Sequence, residues 1–169
     1  MDIISKFTVG SEKSIDQLFD LKKIQLKEMY QDILDHHQLD IYIKTQLNRR
    51  DAINELNDLS TQMITVFVDD EPVGYAIIKS SFNQPKILDG KKAVELSSFF
   101  ILSEHNNYEI RLSLWQKCFS VTRSYCHWIE ILQNNPLISF LEGLNFRIHE
   151  KLKMKPFEVP SYLMIREIN

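Results

Sequence analysis

Glycine is scarce in this chain: four residues in 169, and none in the stretch from Ser103 to Arg111. No Walker loop, dinucleotide fingerprint, HExxH or GxSxG sequence occurs, which removes the functions that those motifs carry. Cysteine is equally thin. Cys118 and Cys126 have no CxxC spacing, so two reduced thiols are expected, with one disulfide as the alternative. Long hydrophobic runs are missing too, because charges break every candidate before it reaches bilayer length, and no membrane span is expected. The opening MDIISKFTVGSEKS has neither a basic n-region nor an apolar core, so a cytoplasmic location is the expectation. Nor is there an excess of one charge. Twenty basic against 23 acidic residues leave a net −3, giving no electrostatic reason to expect nucleic acid or an anionic membrane as partner.

What remains is ordinary globular material, 44% apolar and 25% charged, long enough to bury a substantial core as one domain over 1–169. Residues 3–9 read as a strand ended by Gly10. From Ser14 the apolar positions Ile15, Leu18, Leu21, Met29 and Ile33 follow a helical stripe. The polar break DHHQLD (35–40) precedes a second helix carrying Ile41, Ile43, Leu47, Ile53 and Leu56. QMITVFV (62–68) and VGYAIIKSS (73–81) form a hairpin about the turn Asp69-Asp70-Glu71-Pro72. A looser segment (82–92) leads to a strand at 93–102, a helix from about Asn107 to Tyr125 and a strand at 127–132. The turn QNNP (133–136), a short helix (137–144) and strands near 146–154 and 161–167 complete the chain. The order β-α-α-β-β-β-α-β-α-β-β implies an α/β (α+β layered) fold, a mixed central sheet flanked by helices. The unit from 93 to 132 should be a parallel crossover.

The strand–loop–helix from Glu95 to Tyr125 is the most telling segment. A helix following a strand presents unpaired N–H groups and a positive dipole end, a scaffold for anions. Close backbone approach to a ligand favours small residues, yet this loop carries Glu109 and Arg111. Asn106 followed by Glu109 fits a capping box with Asn in place of Ser or Thr, so a well-capped core helix is the competing reading. Asp32, Asp35 and Asp40, in DILDHHQLD, could attract a cationic amine, against the plainer reading of a solvated loop. The adjacent His36 and His37 lack further ligand spacing, so no metal site is expected. Trp115, Trp128, Phe99, Phe100 and Phe119 read as core aromatics.

Element order, the hairpin TVFVDDEPVGYAII (65–78), the unit 94–125 and the run NNPLISFLEGLNF (134–146) together resemble the GNAT superfamily of acyl-CoA-dependent N-acetyltransferases, over nearly the whole chain. The resemblance implies acetyl-CoA as cofactor, a small-molecule or peptide amine as acceptor, and a wedge where strand 94–102 splays from strand 127–132. Pantetheine would pair with backbone near Phe100, Ile101 and Leu102. Pyrophosphate would sit at Asn106, Asn107, Tyr108, Glu109, Ile110 and Arg111, where the family's Gln/Arg-x-x-Gly-x-Gly/Ala loop lies, and Asn134, which heads the run 134–146, would be a further cofactor-binding residue. Both glycine-type positions are replaced, by Glu109 and Arg111. The tyrosine that often protonates the departing thiolate corresponds to Leu141, which has no proton to give; Tyr108, Tyr125 and Tyr162 are the candidates to replace it. Glu95 sits where carboxylates serving as general base lie in similar proteins, and Ser97 and Ser98 would line the cleft or face a bulge. Two functions follow as expectations. One is an acyl-CoA-dependent N-acetyltransferase, and the other a degenerate member serving as a binding or regulatory module.

Overall fold

The computed structural model describes residues 1–80 and 83–168; Ser81 and Phe82, at the junction of the expected strand 73–81 and the segment 82–92, lie outside the described residues, as does Asn169. β1 (Ile3–Phe7) leads to α1 (Glu12–Tyr30), capped by the Ser11 side chain accepting from the Ser14 N–H, and α1 buries Ile15, Leu18, Leu21, Leu26 and Tyr30. The expected second helix is two. α2 (His36–Gln46) starts inside the polar break, because Asp35 and Gln38 form a complete capping box. α3 (Arg49–Asn57) restarts where the Asn48 side chain accepts from the Asp51 N–H. DHHQLD is therefore a helix start and not a loop.

β2 (Thr61–Val68) and β3 (Glu71–Lys79) are joined through Asp69 and Asp70 at φ 49° and 70°. A two-residue hairpin matching strand twist needs positive φ at both positions, which Asp tolerates better than most residues. The Asp69 N–H and carboxylate also bond the Asp2 carbonyl and N–H, each at 2.9 Å. β4 (Ala93–Ile101), α4 (Tyr108–Ser120), β5 (Cys126–Leu132), α5 (Leu137–Gly143), β6 (Arg147–Met154) and β7 (Val159–Arg166) follow. The sheet is seven-stranded and mixed, of order β1-β2-β3-β4-β5-β7-β6. β4 and β5 run parallel, as the crossover requires, while β1–β2, β5–β7 and β6–β7 are antiparallel.

The chain divides into two compact units, Met1–Ile77 with Ser98–Lys117, and Ile78–Ser97 with Cys118–Asn169. The first is built on Leu18, Leu21, Met63, Tyr75, Ile77 and Phe100. The second is built on Leu88, Ala93, Cys126, Leu163 and Ile165. Cys118 and Cys126 are buried free thiols, which removes the disulfide alternative; burial pushes the Cys118 thiol well above its ordinary range. Trp115, Phe99 and Phe100 are core residues as expected. Trp128 is half-buried and packs against the second unit's core, and Phe119 is half-buried.

Candidate functional site at the end of β4

Gly74 sets the geometry of the first unit's strand edge. A Cβ there would lie 2.5 Å from the Phe100 carbonyl oxygen and 2.9 Å from Ile101 Cγ1, so only glycine lets β3 close on β4. The Leu102 N–H donates to the Val73 carbonyl at 2.8 Å. Phe100 and Leu102 thus turn backbone groups towards β3, and alternation turns those of Ile101 to the opposite edge. The β4–β5 register comprises Ala93–Cys126, Val94–His127 and Glu95–Trp128, and stops well short of Ile101. Of the three residues expected at the pantetheine, Ile101 is the one whose N–H and C=O face away from β3.

Beyond β4 a single 3-10 turn (Ser103–His105) leads into α4. The capping box expected of Asn106 and Glu109 does not form. Asn107 is the cap: its Oδ1 accepts from the Ile110 N–H at 3.1 Å, and its carbonyl accepts from the Arg111 N–H at 3.1 Å. Asn106 is diverted because its Oδ1 accepts from Arg111 Nε at 2.6 Å. The Glu109 carboxylate is exposed and enters no hydrogen bond or ion pair among the described residues. Tyr108 is 64% exposed, while Ile110 is fully buried and anchors the turn. Further negative charge lies close by. The Glu28 carboxyl is held above its usual range by burial and then by the charge of Glu104.

This surface can do two things chemically. Arg111 places a cation in a first helical turn, against the dipole, and its guanidinium keeps donors beyond the one used on Asn106. Phosphate would satisfy that cation and the dipole together. Glu109, Glu104 and Glu28 oppose an anion. The residues fit an acyl-CoA along the strand edge, and at the helix start they fit it only in part.

Beneath the strand edge, the buried Tyr75 hydroxyl donates to Gln25 Oε1 and hydrogen-bonds Ser98, and burial raises its pKa well above the ordinary tyrosine value. This polar contact gives Ser98 a structural place on β4. Ser97 and Glu95 are half-buried on the same strand. The acidic positions are dispersed in role: Asp35 caps α2 through its carboxylate, 2.8 Å from the Gln38 N–H, Asp32 lies in the turn after α1 and Asp40 is exposed on α2.

In the second unit Pro136 is the cap position of α5, and Asn135 before it forms a turn in which its Oδ1 accepts from the Leu137 N–H at 2.9 Å; Asn134 is exposed beside it. Leu141 is fully buried, and its carbonyl accepts from the Leu144 and Phe146 N–H groups. Asn145 adopts the left-handed conformation at φ 72°, as its place after the helix predicts. Of the alternative tyrosines, Tyr108 is on α4, Tyr125 lies under the Lys92 ammonium at 5.9 Å, and Tyr162 pairs with Ile131 in β7. Sequence reading passed over Gly74 and did not mark Asn107 as the cap. Glycine inside a β-branched, aromatic strand is the signal for close backbone approach, whereas adjacent asparagines give no sign of which one caps.

Element order, mixed sheet and the β4–α4 unit define an acetyltransferase-type α/β fold, and the chain has the fold of the GNAT acetyltransferases. It is similar to the PaiA N-acetyltransferase of Thermoplasma acidophilum, solved with coenzyme A, at TM-score 0.73 and 15% identity over 99% of each chain. It is also similar to Arabidopsis thaliana NAA60 in complex with a bisubstrate analogue, at TM-score 0.65 and 14% identity over 98% of each chain. An aminoglycoside 6'-acetyltransferase type Ii matches at TM-score 0.63 and 18% identity, covering 98% of this chain and 97% of that one. No family model matches the sequence, and no curated protein does. No helix among the described residues is long and apolar enough to cross a membrane.

Proposed function

We propose that the protein is an acyl-CoA-dependent N-acetyltransferase, a single domain that moves an acetyl group from acetyl-CoA to an amine. The observation that carries this reading is the Gly74-closed end of β4, where strand alternation turns the Ile101 backbone away from β3, ahead of the short 3-10 turn that leads into α4. Pantetheine amides would pair with Ile101, and pyrophosphate would meet Arg111 and the first-turn N–H groups. Acetyl-CoA, when bound, supplies the activated acyl group. This chain's residues hold it, and Glu95 on β4 is the candidate to take the proton from the acceptor ammonium. Relatives of this fold solved with bisubstrate analogues support the same direction.

A second reading is a non-catalytic member of the fold. It is favoured by one observation, the full burial of Leu141 at the position of the expected acid. Calorimetry with acetyl-CoA at millimolar concentration, with mass spectrometry of a mixed amine panel, decides between them. Binding with an acetylated product supports the transferase. Binding without product supports the second reading, and no binding at all overturns the first.

A further inference from the structure

In the second unit a groove of about 310 Å³ is lined by Trp128, Glu130, His149, Glu150, Leu152 and Leu163. Its floor follows from strand register. Glu130 and Glu150 are both direct cross-strand neighbours of Leu163, one on each side, in β5 and β6. Two carboxylates therefore flank one leucine, their backbones about two strand spacings, ~10 Å, apart. Neighbouring residues of a regular strand point to opposite faces, yet His149 and Glu150 line the same groove. The β6–β7 register shifts between Ile148 and Glu150, leaving His149 as the extra residue of a bulge, a device that re-aims side chains.

The charges in this groove are not balanced internally. Glu130 is half-buried and accepts from Ser161 Oγ at 2.6 Å. Neither Glu130 nor Glu150 enters an ion pair among the described residues, not even with Lys86, which also lines the groove. A half-buried carboxylate loses solvation that a cation would replace. Trp128 offers a π face for the same charge and apolar area for a hydrocarbon body. Among the described residues no group of three or more His, Cys, Asp or Glu could hold a metal ion, and the apolar side chains beside the carboxylates suit an organic cation. The groove is open, and apolar Trp128, Leu152 and Leu163 lie beside the two carboxylates, so a ligand here would be one with both a charge and a hydrocarbon part.

We propose that this groove binds a small organic ammonium, its charge on Glu130 and Glu150 and its apolar body across Leu163, Leu152 and Trp128. The inference stands independently of the acyl-transfer reading, because it uses only residues of the second unit.

Hexylammonium, hexanol and hexanoate form a matched probe series for the full chain at neutral pH. The side-chain N–H signals of Trp128 and Trp115 are followed by NMR, with Trp115, buried in the other unit, as internal control. Hexylammonium should shift Trp128 and leave Trp115 in place, while hexanol and hexanoate bind much more weakly. Glu130→Gln and Glu150→Gln should each weaken binding roughly tenfold, the scale of a lost charge-assisted contact. The amide oxygen in Glu130→Gln still accepts from Ser161, so an unchanged Tm is expected and separates lost binding from lost folding. Hexanol binding as well as hexylammonium, unchanged affinity in both variants, or a silent Trp128 would overturn the proposal. Incubation with acetyl-CoA then separates two sources of the same chemistry. An N-acetylhexylamine product lost in both variants makes the occupant an acceptor, and binding without product makes it a separate ligand.

Discussion

The starts of α4 and α5 are built alike and have opposite surroundings. Each follows a strand through a short polar turn, and in each an asparagine side chain takes a first-turn N–H: Asn107 that of Ile110, Asn135 that of Leu137. After the cap they diverge. α5 buries Leu137, Phe140 and Leu141. α4 leaves Tyr108 and Glu109 exposed and Arg111 half-buried. A first turn made of core has no room for a polar ligand, whereas one made of exposed charge does. The two departures from the GNAT pattern are thus different in kind. Leu141 has become a packing position, while Glu109 and Arg111 are surface charges whose effect on a ligand can be tuned without touching the fold.

The largest expected contrast is in stability. Leu141→Ala should cost about 2–5 kcal/mol in denaturant unfolding, the range for truncating a fully buried leucine. Glu109→Ala should stay within ~0.5 kcal/mol, as surface substitutions do. Comparable losses at the two positions would dissolve the distinction.

Acidity sharpens the same comparison, because the core around α5 holds a histidine. His127 is fully buried, its Nε2 at 2.8 Å from Thr122 Oγ1 and its ring 6.3 Å from that of Phe146. Burial, then the nearby Arg166 charge, lowers its pKa to about 4. The folded protein therefore refuses a proton that the unfolded chain accepts below its ordinary value of about 6.5. Stability should be unaffected above that pH, fall as pH drops towards 4, and lose at most ~3 kcal/mol to this group. Urea unfolding from pH 7 to 4 measures it. In His127→Gln, which keeps a partner for Thr122, the fall over that window should flatten; an unchanged slope would place the acid sensitivity elsewhere. Smaller still, Asn107→Ala and Asn135→Ala should each cost ~1 kcal/mol as lost side-chain bonds to a helix-start N–H. A cost at only one of them would show that the two helix starts are not built alike.

Local rules made most of the fold legible. Periodicity marked α1, β2 and β5, the Asp-Asp turn marked the hairpin, and Asn145 marked the end of α5. What was misread turned on choices between neighbours. Asn106 and Asn107 are equivalent in sequence, and only the bond from Arg111 Nε, which holds Asn106, leaves Asn107 as the cap. Asp35 looked like loop because a capping residue and a solvated turn residue have the same composition. The groove was invisible for another reason: Glu130 and Glu150 are far apart in sequence, and only the β5–β7–β6 register sets them on either side of Leu163.

The smallest expected effect tests the chemistry that the comparison assigns to α4. If phosphate meets this helix start, Glu109 repels it and Arg111 attracts it, both through exposed or half-exposed groups worth about 0.3–1 kcal/mol each. Acetyl-CoA should then bind about 2–5-fold more tightly to Glu109→Gln and as much more weakly to Arg111→Gln. Because such contacts are screened, the two shifts should shrink together as salt rises towards 1 M, where the Debye length falls to ~3 Å. A parallel pair of substitutions on α5, Ser139→Ala and Glu142→Gln, should leave affinity unchanged. Opposite shifts at α4 that salt erases would mark it as the electrostatic half of a cofactor site. Affinity indifferent to both charges would mean that the exposed turn is a capped helix start and nothing more, and would leave the Ile101 edge to hold the cofactor alone.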